Sequence, residues 1–147
     1  MGVRGWAQGP QGVSGTTRFP VGGFTKSSVA AGDNATPASS TPVACAYQGA
    51  ASGLGYVATR SGNITGISAQ LDANPAGSAI VFAATVNGTV QAGTAQTLNA
   101  GTTRKLEATF GGSVPYSAGD VVGVSIRTGT GWTATSANCV VGLELTN

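Results

Sequence analysis

The chain has 147 residues, seven Lys and Arg against five Asp and Glu, no His, and only 8% charged residues, where soluble domains ordinarily carry about 25%. This length gives one domain, or a smaller one with a long tail. A net charge of +2 spread over arginines at 4, 18, 60, 104 and 127 is too weak and too dispersed for a nucleic-acid-binding face, and the absence of His removes the usual base for a Ser or Cys nucleophile.

Residues 1–41 read as an extended N-terminal arm. Gly2, Gly5, Gly9, Gly12, Gly15, Gly22 and Gly23 interrupt any helix or strand, and Pro10, Pro20 and Pro37 add turns. Trp6, Phe19, Val21 and Phe24 are the candidate partner-binding residues, since spaced aromatics suit a segment lying across a neighbouring subunit. Fully extended, such an arm reaches on the order of 130 Å. Gly9–Gly15 holds two Gly-x-y triplets, too few for a collagen-type helix. Gly, Gln and Pro break the region after Arg4, so no secretion signal is predicted.

The body, residues 42–147, reads as strands. Val43, Cys45 and Tyr47 share one parity, Leu54–Thr59 forms a short second strand, and Arg60–Asn63 turns into a central pair. Ile67, Ala69 and Leu71, then Ile80, Phe82, Ala84 and Val86, recur every second residue, as in strands with one buried face. Asn87-Gly88 is a hairpin turn of type I′, which needs φ > 0 at both residues. Further strands follow with Leu106, Ala108 and Phe110 inward, then Val122, Val124 and Ile126, and last Cys139, Val141, Leu143 and Leu145. The candidate core is Ile67, Leu71, Ile80, Phe82, Val86, Phe110, Val141 and Leu143. About eight strands with turns every 8 to 12 residues predict an all-β, antiparallel sandwich of jelly-roll type behind the extended arm.

No catalytic, cofactor-binding or metal-binding residue is predicted. Asp33 is in the arm, and Glu107 and Glu144 fall on outward parities. Asp72 and Asp120 end and start strands; meeting at a sandwich edge, they would make a carboxylate pair or a Ca²⁺ site, and their plainer role is turn capping. Cys45 and Cys139 both fall on apolar parities, as two buried thiols or one disulfide, with no His partner to activate either. Asn34-Ala-Thr, Asn63-Ile-Thr and Asn87-Gly-Thr match the N-glycosylation pattern, matches that chance supplies in a Thr-rich chain. The longest nearly apolar run, Ala79–Val86, is too short to span a bilayer. Tyr56, Tyr116 and Trp132 are candidate interface aromatics, a sugar platform or the edge of the core.

Two runs carry a resemblance. One goes from Gly55-Tyr-Val-Ala through Gly62-Asn-Ile-Thr-Gly-Ile-Ser to Val86-Asn-Gly-Thr. The other is Tyr116-Ser-Ala-Gly-Asp-Val-Val-Gly-Val with Trp132 and the final Val-Leu strand. Over roughly residues 54–145 the chain resembles the β-sandwich modules of tailed-bacteriophage structural proteins: trimeric capsid decoration (cement) proteins, and trimeric phage fibre heads. The resemblance implies a jelly roll, a homotrimer and a virion structural protein on the capsid surface, made in the host cytoplasm. It also implies contact with the major capsid protein, and no enzyme activity, cofactor, nucleic acid or membrane. Body and arm would together bind and stabilise the capsid, so that loss of residues 1–24 would leave a folded trimer without capsid binding. The alternative is a tail or head fibre module recognising a host glycan or protein.

Overall fold

The structure is a computed structural model, and it describes residues 17–31, 43–48, 54–134 and 137–147. Trp6 lies outside these residues. Among them there is no helix, and the strands are β1 Arg18–Lys26, β2 Val43–Ala44, β3 Ala46–Tyr47, β4 Tyr56–Val57, β5 Gly62–Leu71, β6 Ile80–Val86, β7 Thr89–Val90, β8 Gln96–Leu98, β9 Lys105–Thr109, β10 Pro115–Tyr116, β11 Val121–Thr128 and β12 Cys139–Thr146.

The strands form two antiparallel sheets. In sheet A, β5 and β12 are central; β1 lies on the far side of β12 with β3 beyond it, while β9 and β10 pair with different stretches of β5. In sheet B, β11 and β6 are central; β2 and β4 flank β11, and β7 and β8 flank β6. The inward residues of both sheets bury against one another: Ile67, Ala69, Leu71, Val141, Leu143 and Leu145 from sheet A, and Ile80, Phe82, Ala84, Val122, Val124 and Ile126 from sheet B. Period-two alternation puts one set of each strand into a single shared core, the arrangement of a β-sandwich. Val86 and Phe110 are half-buried and pack against this core rather than filling it.

Two bulges adjust the alternation. In β12–β5 the pairing steps from Glu144↔Gly66 to Leu145↔Ile64, leaving Thr65 as the extra residue. Ile64 is thereby turned inward, fully buried despite its parity opposite to Ile67. In β1–β12, Val21↔Leu143 is followed by Phe24↔Val141, so Gly22 and Gly23 together oppose Gly142. Gly23 takes φ 81° there, a conformation glycine reaches without a Cβ clash.

That second bulge corrects the arm reading. Phe19, Val21 and Phe24 belong to β1 and to the body, which begins by Arg18 rather than at 42. Val21 and Phe24 are buried in the core, Phe24 completely, and Phe19 is half-buried against Tyr56. Glycines that would break a regular strand instead form its bulge. Pro20 sits where β1 has β12 on one side and, among the described residues, no strand on the other, which a residue without an N–H tolerates.

The chain changes sheets at Cys45. Ala44 pairs with Ser125 in sheet B, Ala46 pairs with Thr25 in sheet A, and between them the Cys45 N–H bonds to the Val124 carbonyl. The single strand expected over Val43–Tyr47 is thus two short ones in different sheets.

Candidate functional site

The outer face of sheet A carries a concave surface. Strand register aligns its outward side chains into three rows. One row is Thr25, Val140, Gln70 and Lys105; the next is Gly142, Ser68 and Glu107, with Gly22 of the bulge beside Gly142; the third is Pro20, Glu144, Gly66 and Thr109. The middle row is the lowest because it is built mainly from Gly and Ser. It makes a trough between its taller neighbours, with hollows of about 620 and 820 Å³ that share Gly22, Ser68, Glu107 and Gly142. Crossing from β1 to β9 spans three inter-strand spacings, roughly 14 Å.

Close packing presses on two glycines of this face, Gly142 of the floor and Gly66 of the row beside it. A Cβ on Gly142 would come within 3.3 Å of Ser68 Oγ, and one on Gly66 within 3.0 Å of the Ala108 carbonyl. Three charges line the trough: Glu107 at one end of the floor, Lys105 and Glu144 on the rims. Glu144 accepts a 2.7 Å hydrogen bond from Thr65 Oγ1 and lies 3.9 Å from Arg18, an exposed ion pair of small energetic weight. A trough with a small-residue floor suits close contact by a surface ridge or an extended segment. It presents no paired acid and base and no aromatic platform.

The expected interface aromatics are placed differently. Tyr116 and Trp132 are buried in the core. The Tyr116 hydroxyl donates to the Thr146 carbonyl, and Trp132 Nε1 donates to the Val29 carbonyl at 3.2 Å. Burial, and secondarily the nearby Tyr56, push the Tyr116 pKa up, keeping the phenol a donor. Their apolar bodies with polar tips suggested an interface; the tips in fact reach carbonyls far away in the chain. Tyr56 remains half-exposed, its ring edge-on to Phe19 with centroids 6.4 Å apart.

Asp72 and Asp120 do not meet. Asp72 follows the end of β5; Asp120 lies by the opposite end, where Ala118 N bonds to Ser61 Oγ. The length of β5 separates them by roughly 30 Å. Each caps a turn. Asp72 accepts from Asn138 N and Nδ2, which holds its carboxyl below the usual range. Asp120 accepts from Ser117 N and Asn87 Nδ2, with the same effect. Among the described residues, no group of three or more His, Cys, Asp or Glu is positioned to hold a metal ion, and no helix is long and apolar enough to cross a membrane.

Comparison with protein-family models, with curated proteins and with solved structures found no match. The trough residues themselves were only partly legible: Lys105, Glu107, Thr109, Gly142 and Glu144 read as outward, but their alignment into rows depends on strand register.

Proposed function

We propose that the chain is a structural contact protein: a homotrimeric decoration (cement) protein that binds and stabilises a phage capsid. The observation that carries this reading is the trough across sheet A, a broad face floored by Gly22, Gly142 and Ser68 and edged by Lys105, Glu107 and Glu144. Burying such a face against a shell protein requires partners for only these three charged side chains, since the floor itself is Gly and Ser apart from Glu107. Its small floor residues let a partner's backbone or side chains approach closely. The low charge of the whole chain fits a molecule whose exposed surface is replaced by subunit contact.

In this reading the body, including β1, supplies both the fold and the capsid-facing trough. Three linked copies make release rare even where each contact is modest, through effective concentration. The test is solution mass together with co-sedimentation on emptied phage capsids. The reading predicts a mass three times 14.3 kDa and saturation at a fixed ratio to the capsid protein. A trimer that stays in the supernatant with capsids but pellets with host cells would instead assign a fibre-type receptor-binding module.

A further inference from the structure

Among the described residues, β9 is the longest strand with a neighbour on one side only: it pairs with β5 and with no other strand. The other one-sided strands, β2, β3, β4, β7, β8 and β10, hold two or three residues each. Very short edges are one way in which sheets avoid pairing with another chain, and Pro and bulges are others. The open stretch of β1 has both Pro20 and a bulge. β9 has neither, and its register with β5 runs unbroken from Thr109↔Gly66 to Lys105↔Gln70.

That register fixes which way the backbone of β9 points. Leu71 N donates to the Arg104 carbonyl at 2.7 Å, and Phe110 N to the Thr65 carbonyl at 2.8 Å. By alternation Leu106 and Ala108 also turn their N–H and C=O groups toward β5. Lys105, Glu107 and Thr109 turn theirs outward, where they have no backbone partner among the described residues. These three residues are exposed, and Leu106 and Ala108 are half-buried at the rim of the core.

We propose that this edge pairs with the same edge of a second copy, antiparallel about a two-fold axis at Leu106. Charge selects both the occupant and the register. Pairing through the outward groups sets odd-numbered residues opposite odd-numbered ones. Centred on Leu106, Lys105 of each copy faces Glu107 of the other. Centred on Lys105 or on Glu107, like charges would stand directly opposite, which is destabilising; centred on Ala108, neither charge meets its opposite. The edge is therefore complementary to itself in one register. There the two Leu106 side chains meet at a non-hydrogen-bonded pair, where strands approach most closely. Such a contact closes on itself rather than growing. Lys105 and Glu107 are also two of the three charged side chains of the trough, and the third, Glu144, already lies 3.9 Å from Arg18. The pairing gives each an opposite charge and continues sheet A from one copy into the next. It is separate from the threefold association proposed above, and doubles whatever species the chain forms.

The experiment follows the full chain by sedimentation equilibrium at rising concentration, with hydrogen exchange read at the β9 amides. The mass is expected to double, and the Lys105 and Glu107 amides to exchange more slowly as it does. Those of Leu106 and Ala108 are protected throughout by β5. Glu107→Lys changes an exposed side chain and is expected to weaken the doubling by about tenfold or more. The double variant Lys105→Glu with Glu107→Lys is expected to recover it. An equimolar mixture of the single variants Lys105→Glu and Glu107→Lys, each self-repelling, is expected to associate as the parent does. Doubling from a basal species other than the trimer would support this pairing and overturn the trimer. Absence of doubling, doubling indifferent to Glu107→Lys, or doubling without protection at Lys105 and Glu107 would overturn the pairing.

Discussion

Asn138 closes on Asp72 with two donors, its backbone N 2.7 Å from Oδ1 and its Nδ2 2.6 Å from Oδ2. The Asn138 amide oxygen in turn accepts from Ser28 N at 3.0 Å. This chain of bonds joins the end of β5, the start of β12 and the residues just after β1 at one corner of the sandwich. Arg104 adds to it, with Nε 2.6 Å from Asn74 Oδ1 and Nη1 3.0 Å from the Asp72 carbonyl.

The clamp gives a pH dependence with a definite sign. The Asp72 pKa is lowered by the Asn138 backbone and side-chain hydrogen bonds, so its contribution to stability is present above the unfolded value, about 3.9, and is lost as pH falls through the depressed folded value. Asp120 acts in the same direction, held first by the Ser117 N–H and then by the Asn87 amide. Thermal midpoints measured from pH 6 downward are expected to fall less steeply in Asp72→Asn than in the parent, and least in the variant that also carries Asp120→Asn. Parallel curves for all three would refute the clamp.

Gly62 tests the closeness of β10 to the end of β12. A methyl group there would run into the Thr146 carbonyl oxygen and lie 2.7 Å from Tyr116 Oη. One obstacle is backbone, and the phenol is held by that same carbonyl. Gly62→Ala is expected to lower stability by about 1–3 kcal/mol, the usual range for overpacking, in a denaturant titration. Gly88, with nothing within 4 Å of its Cβ position but φ 80°, is the contrasting case in which backbone strain alone opposes alanine.

Trp132 closes the β11 end of the core through its bond to Val29. Trp132→Phe keeps an aromatic ring but leaves the Val29 carbonyl without its donor, and an unpaired buried polar group costs about 1–3 kcal/mol. Trp132→Ala is expected to lose more, about 3–5 kcal/mol. Equal and negligible losses in urea unfolding would mean that the ring is not buried as described.

Deletions at the N-terminus separate fold from arm. Removing residues 1–16 leaves β1 intact and is expected to preserve the cooperative unfolding transition. Removing 1–24 takes away Val21 and Phe24, both core residues, and is expected to abolish that transition. Phe24→Ala alone should cost about 3–5 kcal/mol. A well-folded protein lacking 1–24 would restore the original reading of Phe19, Val21 and Phe24 as arm residues.

Sandwich character was legible wherever a strand keeps strict alternation. Ile80 and Phe82, and Val141 with Leu143, were placed inward from parity alone, and Asn87-Gly88 adopts φ 50° and 80° as its type I′ reading requires. Legibility stopped at irregularities. The Gly22-Gly23 pair reads as a break in sequence and functions as a bulge, which hid β1. Ile64 falls on the polar parity and is turned inward only by the bulge at Thr65. For Tyr116 and Trp132 no local pattern announces a partner at Thr146 or Val29. The trough depends on the register that sets Gly142, Ser68 and Glu107 side by side, a relation between three strands that no single stretch of sequence contains.

The most direct measurement on the central claim is co-sedimentation with emptied phage capsids of the parent chain and of Ser68→Arg, which raises a long charged side chain from the trough floor without entering the core. The account predicts that the parent pellets at a fixed ratio to capsid protein, while Ser68→Arg keeps the parent's mass and thermal midpoint but stays in the supernatant. Equal capsid binding by both chains, or none by the parent, would contradict it.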